Sequence, residues 1–203
     1  MKIAVLATDE LYNELTGQKN EVEWIKVDNW QDFIAIQNVA AHFNLLGNAA
    51  EENYLQFTTP VFIHAACTTL QEIHAPVNIC RLLAWPSFLQ RGIWEVAGNI
   101  SERHRAVLHT ITKNYVQVAD EPGMVSGKII SMIINEAYFA LEDNVSTKEE
   151  IDIAMKLGTN YPYGPLEWAA KIGLKNIYAV LQKLSLTDKR YAPSLLLTAA
   201  ATT

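Results

Sequence analysis

The run Ser146-Thr147-Lys148-Glu149-Glu150-Ile151-Asp152-Ile153-Ala154-Met155-Lys156-Leu157-Gly158, followed by Tyr161-Pro162-Tyr163-Gly164-Pro165, decides how the second part of the chain folds. Ser146 and Glu149 have the spacing of a capping box, where a hydroxyl and a carboxylate each take an orphan N–H at a helix start. The helix so begun is expected to end at Leu157, with Gly158 as the left-handed residue beyond it. Residues 161–165 make a turn, and Pro165, its φ already helical, opens a third helix. That helix stops at Gly173, and a fourth covers 174–184. Upstream, Ile129, Met132, Ile133, Ala137, Ala140 and Leu141 recur at three-to-four spacing, which predicts an amphipathic helix ending near Asn144. No strand-like alternation occurs from Gly127 onward.

Before residue 120 the texture differs. Residues 2–7 (KIAVLA), 21–27 (EVEWIKV), 42–46, 61–66, 79–84, 92–97 and 116–119 are short strand-like runs between turn residues. Helical candidates lie between them at 9–16 and, capped by Ser101, up to residue 115. Strands alternating with helices imply βαβ units and a mainly parallel sheet. The expected fold is α/β and then all-α: residues 1–120, a helical domain over 121–197, and a small polar tail over 198–203 that frays.

Half of the 203 residues are apolar and 19% are charged, enough for a sizeable core and unlike disordered, collagen-like or coiled-coil chains. A net charge of −6 argues against nucleic acid as partner, since phosphate binding needs clustered Lys and Arg. No apolar run approaches the roughly eighteen residues of a membrane span. The opening run 3–7 is short for a signal-peptide core and meets Asp9 and Glu10 at once. A cytoplasmic protein without a membrane partner is expected. Two cysteines, Cys67 and Cys80, make neither a disulfide framework nor a four-ligand zinc site. His104 and His109, five apart, face different sides of a helix, so no metal is expected.

The stretch from Glu149 to Gly158, with Tyr161-Pro162-Tyr163-Gly164-Pro165-Leu166-Glu167 after it, closely resembles the C-terminal domain of the 3-hydroxyacyl-CoA dehydrogenase family. Asn135-Glu136-Ala137, Gly173-Leu174 and Arg190-Tyr191-Ala192-Pro193-Ser194 also resemble family motifs. The resemblance is strong over about 115–197 and weak before it. It implies a shortened Rossmann-like domain followed by a helical domain through which family members pair as dimers. It further implies hydride transfer between NAD and an acyl-CoA, with a His general base oriented by a Glu.

The first part of the chain departs from that pattern. A dinucleotide loop, G-x-G-x-x-G, should follow the first strand, because glycines let the backbone approach the pyrophosphate. Here the segment reads Ala7-Thr8-Asp9-Glu10-Leu11-Tyr12, and the first glycine is Gly17. Asp28 matches the acid that holds the adenosine ribose; read alone, it is a solvated turn residue. Leu82 stands where the family's catalytic His belongs and Trp85 where its Asn does, while Glu95 matches the Glu of the dyad. Ala65 and Ala66 replace a Ser-Asn pair, Gly127 replaces a substrate-contacting Asn, and Lys128 matches an Arg beside it. Residues 27–42 hold one short helix where the family carries a long helical hairpin.

Two functions follow as expectations. The first is a catalytically degenerate homologue with no cofactor, a homodimer serving as an interaction or acyl-CoA-type binding module. The second is an active NAD-dependent 3-hydroxyacyl-CoA dehydrogenase that uses Glu95 with His64 or Lys128 in displaced roles. His64 and Cys67, near a strand end, read first as a packing pair, with a substitute site as the alternative.

Overall fold

The computed structural model describes residues 1–17 and 21–202. The chain forms two compact units, Met1–Met124 and Val125–Thr203.

The first unit is built on a seven-stranded sheet. Its strands are β1 (Lys2–Leu6), β2 (Glu23–Val27), β3 (Ala41–Asn44), β4 (Val61–His64), β5 (Ile79–Leu82), β6 (Ile93–Gly98) and β7 (Asn114–Gln117), in spatial order β2-β1-β3-β4-β5-β6-β7. Every neighbouring pair is parallel except β5–β6. Both faces are covered, which is why the strands read as continuous apolar runs. On one face Ile3, Val5, Phe43, Phe62, Leu82, Trp94 and Val96 pack with Leu15 of α1 (Asp9–Thr16) and Val107 and Leu108 of α3 (Glu102–Thr110). Phe43 and Phe62 stack there at 4.6 Å. On the other face Ala4, Leu6, Val61, Ile63 and Ile79 pack with Phe33 of α2 (Trp30–Ala35). That helix is the single short one expected between β2 and β3.

One buried charge sits in this sheet. Arg81 of β5 has no exposed surface. Its guanidinium donates to the carbonyls of Ala65 (3.0 Å), Thr68 (2.9 Å) and Glu121 (2.6 Å). Its Nε lies 2.9 Å from Asp120 Oδ1, an ion pair without hydrogen-bond alignment. Burial pulls the guanidinium pKa down, and Asp120 opposes the shift. The other Asp120 oxygen accepts the N–H groups of Leu70 and Gln71. These bonds, with Gly123 N–H to the Ala66 carbonyl, tie 120–123 to the sheet, so this segment belongs to the first unit and not to the helical one.

The second unit packs α4 (Ser126–Glu142), α5 (Lys148–Thr159), α6 (Pro165–Ile172), α7 (Leu174–Ser185) and α8 (Leu195–Thr202). The capping box is Thr147 with Glu150, one residue later than the sequence suggested, and Ser146 donates to Glu150 as well. Gly158 lies inside α5, and Asn160 takes the left-handed position with φ 55°. Nothing stands within 4 Å of a Cβ placed at Gly158, so no crowding forces the helix to stop there. Residues 198–202 continue α8 and do not fray. Leu197 and Ala201 of α8 are buried, and Ser194 Oγ accepts the Leu197 N–H at 3.1 Å.

Two polar clasps hold the unit. Asp152 of α5 accepts the N–H groups of Leu166 (2.8 Å) and Glu167 (3.2 Å) and so caps α6 from another helix. Gly164, at the N-cap, is glycine because a Cβ there would lie 2.1 Å from Asp152 Oδ1. Buried Asn135 of α4 accepts the Ser194 N–H at 2.8 Å and donates to the Ala192 carbonyl at 2.9 Å.

Replacing Arg81 by Met should lower the unfolding free energy by about 3–5 kcal/mol, because three carbonyls and Asp120 lose a buried cation. Urea denaturation checks this; a loss below about 1 kcal/mol would contradict it. Gly164→Ala should cost more than Gly158→Ala in the same measurement, since only Gly164 has no room for a methyl group.

Candidate functional site

Open parallel sheets bind ligands outside the carboxyl ends of their strands, where the strand order reverses. Here that point lies between β1 and β3, and each strand end nearby is occupied by a particular contact.

After β1, Thr8 caps α1 by accepting the Leu11 N–H at 3.3 Å, and Asp9 and Glu10 follow in the first turn. Lys26 of β2 reaches both Asp9 (2.8 Å) and Asp28 (2.6 Å). The paired carboxylates, Asp28 first, raise the ammonium pKa, and Lys26 holds the Asp9 carboxyl below its ordinary value. Asp28 is thus exposed and turned to a lysine of the strand before it.

At the end of β3, Asn44 is fully buried. It donates to the Tyr54 hydroxyl at 2.8 Å, and Tyr54 donates onward to the Ala49 carbonyl at 2.7 Å. Burial raises the Tyr54 pKa. Sequence reading missed both residues; the partners are ten positions apart, and no motif marks them.

At the end of β4, His64 stands in register with Leu82. Its Nδ1 accepts the Ala84 N–H at 3.1 Å, which puts the ring proton on Nε2. Burial brings its pKa down to about 4, the Leu82 carbonyl opposes this, and the Arg81 charge adds to it. The imidazole is therefore a neutral fixture of the β5 backbone. Cys67 is half-buried and outside any disulfide, and Cys80 is a buried thiol whose pKa burial pushes up to about 12.

Beyond β5, Trp85 is 1% exposed, and its indole N–H has no hydrogen-bond partner among the described residues. The Ser87 N–H donates to Glu14 of α1 at 2.7 Å, joining α1 to the turn after β5. Lys113 is buried and donates to the Leu89 and Arg91 carbonyls at 2.8 and 2.9 Å, which holds the far side of that turn.

The sites read from sequence are not brought together. Leu82 pairs with Val96, so Glu95 projects from the opposite face of the sheet to Leu82. Five strand spacings, about 24 Å in all, separate β2, which precedes Asp28, from β6, which carries Glu95. Lys128 lies in the first turn of α4, in the second unit. Among the described residues no cluster of three His, Cys, Asp or Glu could hold a metal. No described helix is long and apolar enough to cross a membrane.

Comparison with known proteins agrees with this division of the chain. Residues 123–202 match the model of the 3-hydroxyacyl-CoA dehydrogenase C-terminal domain. The 3-hydroxyadipyl-CoA dehydrogenase of Escherichia coli is 46% identical over 87 residues, 42% of this chain and 18% of that protein. A probable 3-hydroxybutyryl-CoA dehydrogenase of Bacillus subtilis is 39% identical over 94 residues, 45% of this chain and 33% of that protein. The chain thus matches a third or less of the length of these relatives. Solved structures of FadB2 from M. tuberculosis (TM-score 0.69, 16% identity) and (S)-3-hydroxybutyryl-CoA dehydrogenase from Ralstonia eutropha (0.66, 23%) share the fold. Each aligns over 87% of this chain and 69% of its own.

The folded-state pKa of His64 lies below its unfolded value near 6.5, so the ring's stability contribution is complete above about pH 6.5. It is lost as the pH falls toward 4, by at most about 1.4 kcal/mol per pH unit. Imidazole NMR should show the ring neutral through pH 5; titration near 6.5 would contradict its placement.

Proposed function

With residues 123–202 a 3-hydroxyacyl-CoA dehydrogenase C-terminal domain, we propose that the chain is a catalytically degenerate member of this family that works as a homodimeric interaction module. The observation that carries the proposal is the Asp9–Lys26–Asp28 ion cluster at the strand ends where a dinucleotide would lie. A pyrophosphate there needs free backbone N–H groups and no side chains in the way. Thr8 already caps that helix, and Asp9 and Glu10 add like charge. The residues present do not fit NAD, and no hydride-transfer step is assigned to them.

The acid–base pair fares the same way. A general base has to reach its substrate proton and be oriented by its partner. Leucine at 82 carries no proton acceptor, and Glu95 faces away from it. His64, in the neighbouring strand, has its Nδ1 lone pair committed to the Ala84 N–H.

Support for pairing comes from α5. Of its twelve residues only Asp152 is buried, and Asp152 and Lys156 turn toward α6 while Ile153 (53% exposed) and Leu157 (83%) face outward. Ile153 and Leu157, four residues apart, leave a small apolar patch exposed on this helix, a surface suited to a partner. The resemblance to a family that dimerises through this domain supplies the partner: a second copy.

The purified chain should leave NADH absorbance unchanged with acetoacetyl-CoA and should run as a dimer in light scattering. Leu157→Glu should shift it to monomer without loss of helicity by circular dichroism. Steady NADH oxidation would overturn the degenerate reading and make Glu95 the first residue to replace. A monomeric unmodified chain would overturn the pairing.

A further inference from the structure

We propose that a groove at the amino ends of β1, β3 and β4 is a binding site for a short aliphatic carboxylate, held by Arg103 at its mouth. It lies at the opposite end of the sheet from the strand ends discussed above, so neither reading stands or falls with the other.

The groove has a volume of about 310 Å³, near the lower end of the range of small-molecule sites. Its lining joins the two apolar layers of the first unit, since Val39 belongs to one and Val107 of α3 to the other. Met1 and Pro60, just ahead of β1 and β4, extend the apolar wall. The polar groups along it are already used. The Ala40 N–H donates to the Lys2 carbonyl at 2.9 Å. Pro60 has no N–H, and its carbonyl accepts the His42 N–H at 3.0 Å. The Thr59 carbonyl accepts from Asn78 at 2.7 Å, and its hydroxyl lies 2.9 Å from His42 Nδ1. What the floor offers a ligand is therefore apolar contact.

Arg103 is the exception, the one charged side chain that lines the groove. Spacings of three and four residues put it on the same face of α3 as Ala106 and Val107. It is exposed, and among the described residues no carboxylate pairs with it; its neighbour Glu102 is taken by Arg105 at 2.8 Å. No acidic side chain lines the groove, so an anion is attracted there and an ammonium is repelled. A guanidinium matches a carboxylate with two parallel N–H bonds. Because Arg103 is exposed, the head group stays hydrated beside it while the tail lies over Val39, Pro60 and Val107, and no charge has to be buried. Only a molecule with both parts uses both features.

Octanoate is the probe. Titrated into the methyl-labelled full chain, it should shift the Val39 and Val107 methyl resonances saturably. Hexanoate should bind more weakly, by up to about fourfold for each methylene lost. Octylamine should bind about tenfold less tightly than octanoate, since Arg103 opposes it. Arg103→Gln, at an exposed position, should weaken octanoate about fivefold. Ala106→Trp, also exposed, fills the groove and should abolish the saturable shifts. Circular dichroism checks that both variants keep their helices, and Arg103→Gln decides alone if the tryptophan variant fails to fold. A shift linear in octanoate, octylamine binding as tightly as octanoate, or unchanged affinity in Arg103→Gln would each overturn the proposal.

Discussion

A guanidinium with no exposed surface, on the fifth strand of the sheet, governs the first unit. Arg81 cannot be left bare in that position, because an uncompensated buried charge costs several kcal/mol. The chain therefore brings the carbonyls of Ala65, Thr68 and Glu121 and the carboxylate of Asp120 to it. Those partners come from the segment after β4 and from the segment that ends the unit. The connection after β4 is held again by Asp120, through Leu70 and Gln71, and by the close approach of Leu70 to Gly98. With φ at 116°, Gly98 has a backbone suited to glycine, and a Cβ there would meet Leu70 at 2.8 Å. The connection after β4 is thus a fixed part of the fold.

The helical unit depends on the same economy of means. Its motifs resemble a known family because they are hydrogen-bonding joints. Asp152 and Gly164 together form one helix cap, Glu167 closes it by accepting the Gly164 N–H, and Asn135 joins α4 to the segment before α8. Such positions resist replacement, since removing one partner leaves a buried group unsatisfied. Similarity concentrated in these joints points to the domain and carries no chemistry by itself, whereas Lys26, Asn44 and Trp85 stand at or just beyond the strand ends of the first unit.

Much of this architecture was legible in local patterns. The start of α3 after Ser101 and the Pro165 start of α6 follow from a cap and a fixed φ value, and the seven strands from short runs between turn residues. The misreadings share a cause. Gly158 reads as a helix stop, yet Asn160 takes the left-handed turn; Ser146 reads as the cap, yet Thr147 serves. Neighbouring residues competed for one role, and tertiary packing chose. The polar tail reads as loose because its anchors, Ser194 and Asn135, lie outside it. At the site, the absent glycine loop and Leu82 were plain in the sequence. The ion cluster and the Asn44–Tyr54 link were not, because each depends on residues brought together only in the folded chain.

The central claim is that the strand ends between β1 and β3 have been rebuilt so that a dinucleotide no longer fits. Calorimetric titration of the intact protein with NADH tests it most directly, since binding is a weaker demand than turnover. The account predicts no saturable heat. A saturating isotherm with a micromolar dissociation constant would contradict it, for it would mean that Lys26 releases Asp9 and Asp28 to a ligand.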